Sequence, residues 1–136
     1  MSDLNITTRV SGEVTILYLD GSIQLGTSSS SLHEALKTHV EKGNRNILIN
    51  LAKVTSIDSS GLGSLIAGYA SVEKNGGTLK LCNLSTRVIE LMTITKLFTV
   101  FDIFDTEAEA VASFESSPES EAQAEKRAAN GGTSLL

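Results

Sequence analysis

The run SIDSSGLGSL at residues 56–65 sets one carboxylate, two neighbouring hydroxyls and two glycines side by side: Asp58, Ser59, Ser60, Gly61 and Gly63. Such a set can cradle phosphate, present a nucleophile, or offer a hydroxyl for another protein to modify. It can also simply turn a corner. A phosphate-binding P-loop ends in Gly-Lys-Ser or Gly-Lys-Thr, and no lysine follows these glycines. A nucleophile elbow needs a glycine two places before its serine, where Ser59 has Ile57 and Ser60 has Asp58. Modification fits better. Amides and the dipole at a helix start favour added anionic charge, and Ser59 stands where a helix is expected to begin. Glycines 61 and 63 remove side chains, so a second protein's active site can come close to the backbone. The plain alternative is a serine N-cap with glycines needed for helix–sheet packing. The residues alone leave both readings open.

The other candidate groups are sparse. His33 and His39 share one expected helix but point about 240° apart at ~3.6 residues per turn, so they cannot share a metal and read as solvated. Glu107 and Glu109 fall on a polar helix face and also read as solvated. The single cysteine, Cys82, lies in an apolar strand and reads as a buried structural thiol. No metal, no cofactor and no enzymatic activity of the chain by itself is expected.

The elements that would position residues 56–65 alternate along the chain. LNITTRV (4–10) and EVTILYLD (13–20) alternate apolar and polar residues across an SGE turn, which predicts an opening hairpin. A helix follows over 26–44. Ser31 and Glu34 have capping-box spacing, Leu32, Ala35, Leu36 and Val40 form its face, and Gly43 is its stop. RNILINL (45–51) reads as a central strand covered on both faces. The helix from about residue 60 carries Leu62, Leu65, Ile66 and Tyr69 at helical spacing and ends at Gly76 and Gly77. TLKLCNL (78–84) is a strand. STRVIELMTITKLF (85–98) is a helix capped by Ser85, with Val88, Leu91 and Met92 on one face. VFDIF (100–104) is a short strand, and DTEAEAVASF (105–114) a last helix capped by Asp105 or Thr106. The order β-β-α-β-α-β-α-β-α predicts a mixed, mainly parallel sheet. Function in such sheets sits beyond the carboxyl ends of strands, which is where SIDSSGLG falls.

The chain of 136 residues suits one domain, and its net charge of −5 argues against nucleic acid or an anionic membrane surface as partner. No window is long and apolar enough for a membrane span, and MSDLNITTRV has no secretory pattern, so a cytoplasmic protein is expected. ESSPESEAQAEKRAANGGTSLL (115–136) holds the only proline and almost no large apolar residue before Leu135. Such a segment cannot offset its ordering entropy. The expected organisation is a domain over 1–115 and a polar, disordered tail over 116–136.

From INLAKVTSIDSSGLGSL through NGGTLKLCNLSTRV to DIFDTEAEAVASF, the chain resembles the anti-sigma factor antagonists, members of the STAS domain family. The likeness covers about residues 4–114, and IDSSGLG is its most specific piece. It implies an α/β single domain: a small mixed, mainly parallel β-sheet with an N-terminal hairpin and four α-helices largely on one side. It implies that Ser59, directly after the aspartate, is phosphorylated by an anti-sigma factor serine kinase and restored by a phosphoserine phosphatase. The unphosphorylated form would bind the anti-sigma factor and free the sigma factor. Partner contact is then expected at Gln24, Asp58, Ser60, Gly61, Leu62, Gly63 and Ser64. Gln24 stands where many members carry an acid. A STAS subunit that packs on an ATPase in a transporter or sensory assembly is the alternative.

Overall fold

Period-two alternation in the first strands produces a hairpin. In the computed structural model, which describes residues 4–24 and 27–115, β1 (Leu4–Ser11) and β2 (Val14–Ile23) pair antiparallel from Leu4↔Gly21 to Ser11↔Val14. Gly12 makes the turn at φ 62°, a left-handed conformation that favours glycine. Then come α1 (Thr27–Glu41), β3 (Asn46–Ile57), α2 (Ser59–Lys74), β4 (Thr78–Cys82), α3 (Thr86–Thr95), a 3-10 turn at Leu97–Thr99, β5 (Asp102–Phe104) and α4 (Glu107–Glu115). The sheet order is β1-β2-β3-β4-β5, with every pair after the first parallel.

Three right-handed crossovers in one direction across a sheet put their helices on one face. Leu17, Leu19, Ile47, Ile49, Leu51, Leu79 and Leu81 accordingly pack on Leu32 and Leu36 of α1, Leu62, Leu65 and Val72 of α2, and Val88 and Met92 of α3. Each fully buried Leu or Ile contributes about 1.5–3 kcal/mol. The opposite face holds α4 alone. There Val14, Ile16, Leu48 and Cys82 meet Ala110 and Phe114, and the Lys80 ammonium lies 4.6 Å from the centre of the Phe114 ring. Burial, and then the nearby Glu107 charge, push the Cys82 thiol up to about 12, so the buried structural reading of this cysteine holds. No helix among the described residues is long and apolar enough to cross a membrane.

Four local expectations need correction. Helix α1 starts at Thr27, so Ser31 lies in its second turn and is no cap. Helix α3 ends at Thr95, short of Phe98, because Lys96 turns left-handed at φ 63° and its N–H closes on Met92 O and Thr93 O. Ile66, expected in the core face of α2, is 39% exposed, since Leu65 and Gly68 take the inward positions. His39 is not solvated: it is half-buried, shares a 2.9 Å hydrogen bond between its Nδ1 and Asn44 Nδ2, and burial followed by the nearby Lys42 charge lowers its pKa. At α4 the cap is Thr106, whose Oγ1 accepts from Glu109 N at 3.1 Å. The proposed tail at 116–136 lies outside the described residues.

Candidate functional site

The expected strand at 45–51 extends six residues further, to Ile57, and this carries the site. Pairing of β3 with β4 stops at Asn50↔Cys82, whereas its pairing with β2 continues to Ile23↔Ile57. The extra length projects past β4 as a ribbon with β2. Strand β1 follows β2 as far as the Leu4↔Gly21 pair, so among the described residues only the tip, Ser22 and Ile23 against Ser56 and Ile57, is two-stranded. The β2–β3 register shifts twice, between Tyr18 and Asp20 and between Gly21 and Ser22, and each time β3 uses one residue more than β2. Bulges of this kind bend a strand and re-aim its end.

Side chains secure both bulges. At the first, Asn50 Oδ1 accepts from the Ala52 amide at 2.9 Å, while Asn50 Nδ2 donates to Glu107 Oε1 at 3.1 Å. The second oxygen of Glu107 accepts from Tyr18 Oη at 2.9 Å, and Tyr18 Oη accepts from Arg9 Nη1 at 3.3 Å. Burial, followed by the Glu107 hydrogen bond, raises the Tyr18 pKa. Glu107 is thus no solvated acid; it fastens the first turn of α4 to the sheet. The sequence held one signal of this, an asparagine within the apolar run ILINL, since a polar side chain in a covered strand needs partners. At the second bulge, Thr55 Oγ1 donates to Gly21 O at 3.2 Å, Ser56 Oγ donates to Ser22 Oγ at 3.1 Å, and Gln24 Nε2 donates to Ser56 Oγ at 3.2 Å. None of these hydroxyls was singled out from the sequence.

At the ribbon tip the chain turns directly into α2. Asp58 is the N-cap, in extended conformation at φ −103° and ψ −176°, and its Oδ1 accepts from Gly61 N at 2.8 Å. The alternative reading of a serine N-cap therefore does not hold here: a carboxylate both caps well and meets the positive end of the helix dipole. Asp58 N donates to Ile23 O at 3.2 Å, which joins the ends of β2 and β3. Ser59 is the first helical residue and is exposed, as are Asp58 and Gln24; Ser60 and Ser64 are half-buried.

The two glycines differ. A Cβ at Gly61 would collide with the Ile23 carbonyl oxygen and come within 2.8 Å of Ile57 Cγ1. A Cβ at Gly63 would meet nothing within 4 Å. Gly63 instead lies open in a groove of about 490 Å³ between α1 and α2, with Ser30, His33, Glu34, Ser60, Ser64 and Ala67. Gly61 and Leu62, expected at the partner surface, are buried, Leu62 at 7% exposure, and both serve helix–sheet packing. The residues brought together at the surface are Gln24, Asp58, Ser59, Ser60, Gly63 and Ser64.

A five-stranded sheet with one antiparallel pair and the rest parallel, together with four helices, is the STAS fold. Residues 5–110 match the STAS domain family, and the chain belongs to it. Over 76 residues it is 42% identical to the anti-sigma-B factor antagonist of Bacillus subtilis, covering 56% of this chain and 69% of that protein. Over 102 residues it is 26% identical to the anti-sigma F factor antagonist of Paenibacillus polymyxa, covering 75% of this chain and 87% of that one. Among solved structures, the unphosphorylated anti-sigma factor antagonist SpoIIAA shares the fold with a TM-score of 0.63 at 21% identity, over 84% of this chain and 99% of the other. SpoIIAA of Bacillus in its phosphorylated form gives 0.63 at 20% identity, over 82% and 99%.

Proposed function

We propose that this chain is a cytoplasmic anti-sigma factor antagonist switched by phosphorylation of Ser59. Unphosphorylated, it binds an anti-sigma factor that is also a serine kinase, and the sigma factor is released. The observation that carries the reading is the place of Ser59: exposed, at the first position of α2, with the capping bond made by its neighbour Asp58. The names of the Bacillus and Paenibacillus relatives support the antagonist role, and the two solved forms of SpoIIAA support a phosphate switch.

The partner supplies ATP. A bond forms between Ser59 Oγ and the γ-phosphorus as the bond from that phosphorus to the β-phosphate oxygen breaks. ADP leaves and the hydroxyl proton passes to a base on the kinase. The product adds about −1.5 to −2 charge beside the Asp58 carboxylate. The α2 dipole offsets ~0.3–1 kcal/mol of this in the free protein, so the fold survives. In the complex the same charge must shed water against the partner. An unpaired charge there costs about 2–5 kcal/mol of binding. That is roughly 30- to several-thousand-fold in affinity, at ~1.4 kcal/mol per decade. A phosphoserine phosphatase resets the switch.

The test mixes the chain with an anti-sigma factor serine kinase. A complex should form without ATP, dissolve as ATP is consumed, and re-form after phosphatase treatment. Ser59→Ala should stay bound in the presence of ATP. A wild-type complex that persists at full phosphorylation would reject the switch.

A further inference from the structure

Gln24 and Ser59 stand on different strand ends, Gln24 just after β2 and Ser59 just after β3. A partner that contacts both reads the offset between them. That offset is set by the ribbon, which lies beyond the last β4 contact and whose tip, past the Leu4↔Gly21 pair, has no third strand among the described residues. An isolated two-stranded ribbon is marginal in water. Its inner face is held by Ile23 and Ile57, paired in register and packed against the main core. Its other face is held by hydroxyls.

Within those hydroxyls Ser56 has a distinctive position. Its Oγ accepts from Gln24 Nε2 at 3.2 Å and donates to Ser22 Oγ at 3.1 Å. One oxygen therefore ties the Gln24 side chain to β3 and, through Ser22, back to β2. It also stands next to Ile57 and three residues before Ser59 on the same strand end. Only a hydroxyl can accept and donate at once at this place. An alanine would leave Gln24 Nε2 and Ser22 Oγ without this shared partner, while Ile23, Ile57 and the Asp58 cap stay in place.

We propose that Ser56 is a positioning residue: it fixes Gln24 relative to Ser59 so that both meet one partner surface. This rests on the switch reading given above. Ser56 itself neither receives the phosphate nor touches the reacting atoms. Its effect is on docking, so it acts on the KM of Ser59 phosphorylation more than on kcat.

The experiment measures KM and kcat for phosphorylation of the full chain by an anti-sigma factor serine kinase. Ser56→Ala should raise KM about three- to tenfold with kcat within about twofold, and Gln24→Ala should do the same; because the two residues act through one bond, the double variant should be no worse than the larger single effect. Ser56→Thr, which keeps the hydroxyl and suits a strand, should restore KM to within about twofold of wild type. A wild-type KM for Ser56→Ala overturns the proposal, as do fully additive effects of the two alanines or a failure of threonine to rescue. If Ser56→Ala melts early, the Gln24→Ala and Ser56→Thr values still decide. The switch reading fails separately, by absence of Ser59 phosphorylation in the wild-type chain, and the positioning role falls with it.

Discussion

Helix α2 begins after the cap Asp58 and helix α3 after the cap Ser85, each just beyond a parallel strand. Both caps are extended, and both accept from the amide three residues on: Gly61 at 2.8 Å and Val88 at 3.3 Å. The third residue is where they diverge. Val88 is fully buried and anchors α3 through its side chain. Gly61 anchors α2 through the absence of one, letting the backbone settle on the Ile23 carbonyl. The serines diverge too. Ser85 is half-buried and occupied as a cap, whereas Ser59 is exposed and Asp58 caps in its stead. Two helix starts built by one local rule therefore present one structural serine and one that another protein can reach. A capping carboxylate, moreover, leaves the hydroxyl chemistry to the next residue.

Substitutions can break this contrast, and Gly61→Ala has the largest expected effect. Its Cβ meets fixed backbone, and overpacking of that kind costs about 1–3 kcal/mol. The melting temperature should fall by ~4–8 °C per kcal/mol for a domain near this size. Gly63→Val comes next and should act on binding alone. It should weaken the anti-sigma factor complex about tenfold, ~1.4 kcal/mol, with the melt held or slightly raised, since nothing crowds a Cβ there. A parallel collapse of melt and binding would show that Gly63, like Gly61, is a packing glycine. Ser85→Ala removes an ordinary cap, which costs about 1 kcal/mol. It should lower the melt and leave partner affinity unchanged; a loss of affinity would move the interface onto α3. The smallest effect belongs to removal of residues after Ser116. Exposed termini add little to stability. The truncated chain should melt within a few degrees of the full one and titrate its partner equally, as expected if 1–115 is the domain and 116–136 a polar tail. A drop beyond ~4–8 °C would mean that the tail packs on the domain.

The element order was legible in the sequence because apolar spacing reports burial directly: LNITTRV and EVTILYLD alternate, and Leu32 with Leu36 and Val88 with Met92 mark inward helix faces. The serine at the α2 start was legible for the same reason. What stayed hidden depends on pairing. AKVTSI carries little apolar pattern, and the two bulges interrupt its alternation, so the second half of β3 could not be separated from a loop. Asp58 and Ser59 are equally good caps by type, and only the backbone path decides between them. The four serines before Leu32 offer several equivalent helix starts. Glu107 looked solvated because its partners, Tyr18 and Asn50, are 89 and 57 residues away in sequence. Distant polar pairs leave no local signal.

On the proposed reading Ser59, and not its neighbour Ser60, is the residue the partner modifies. Phosphate mapping by mass spectrometry, after the full chain is incubated with an anti-sigma factor serine kinase and ATP, tests this most directly. The phosphate should sit on Ser59, the exposed first residue of α2, and Ser59→Ala should abolish incorporation. Phosphate on Ser60, or full incorporation into Ser59→Ala, would overturn the assignment of Ser59.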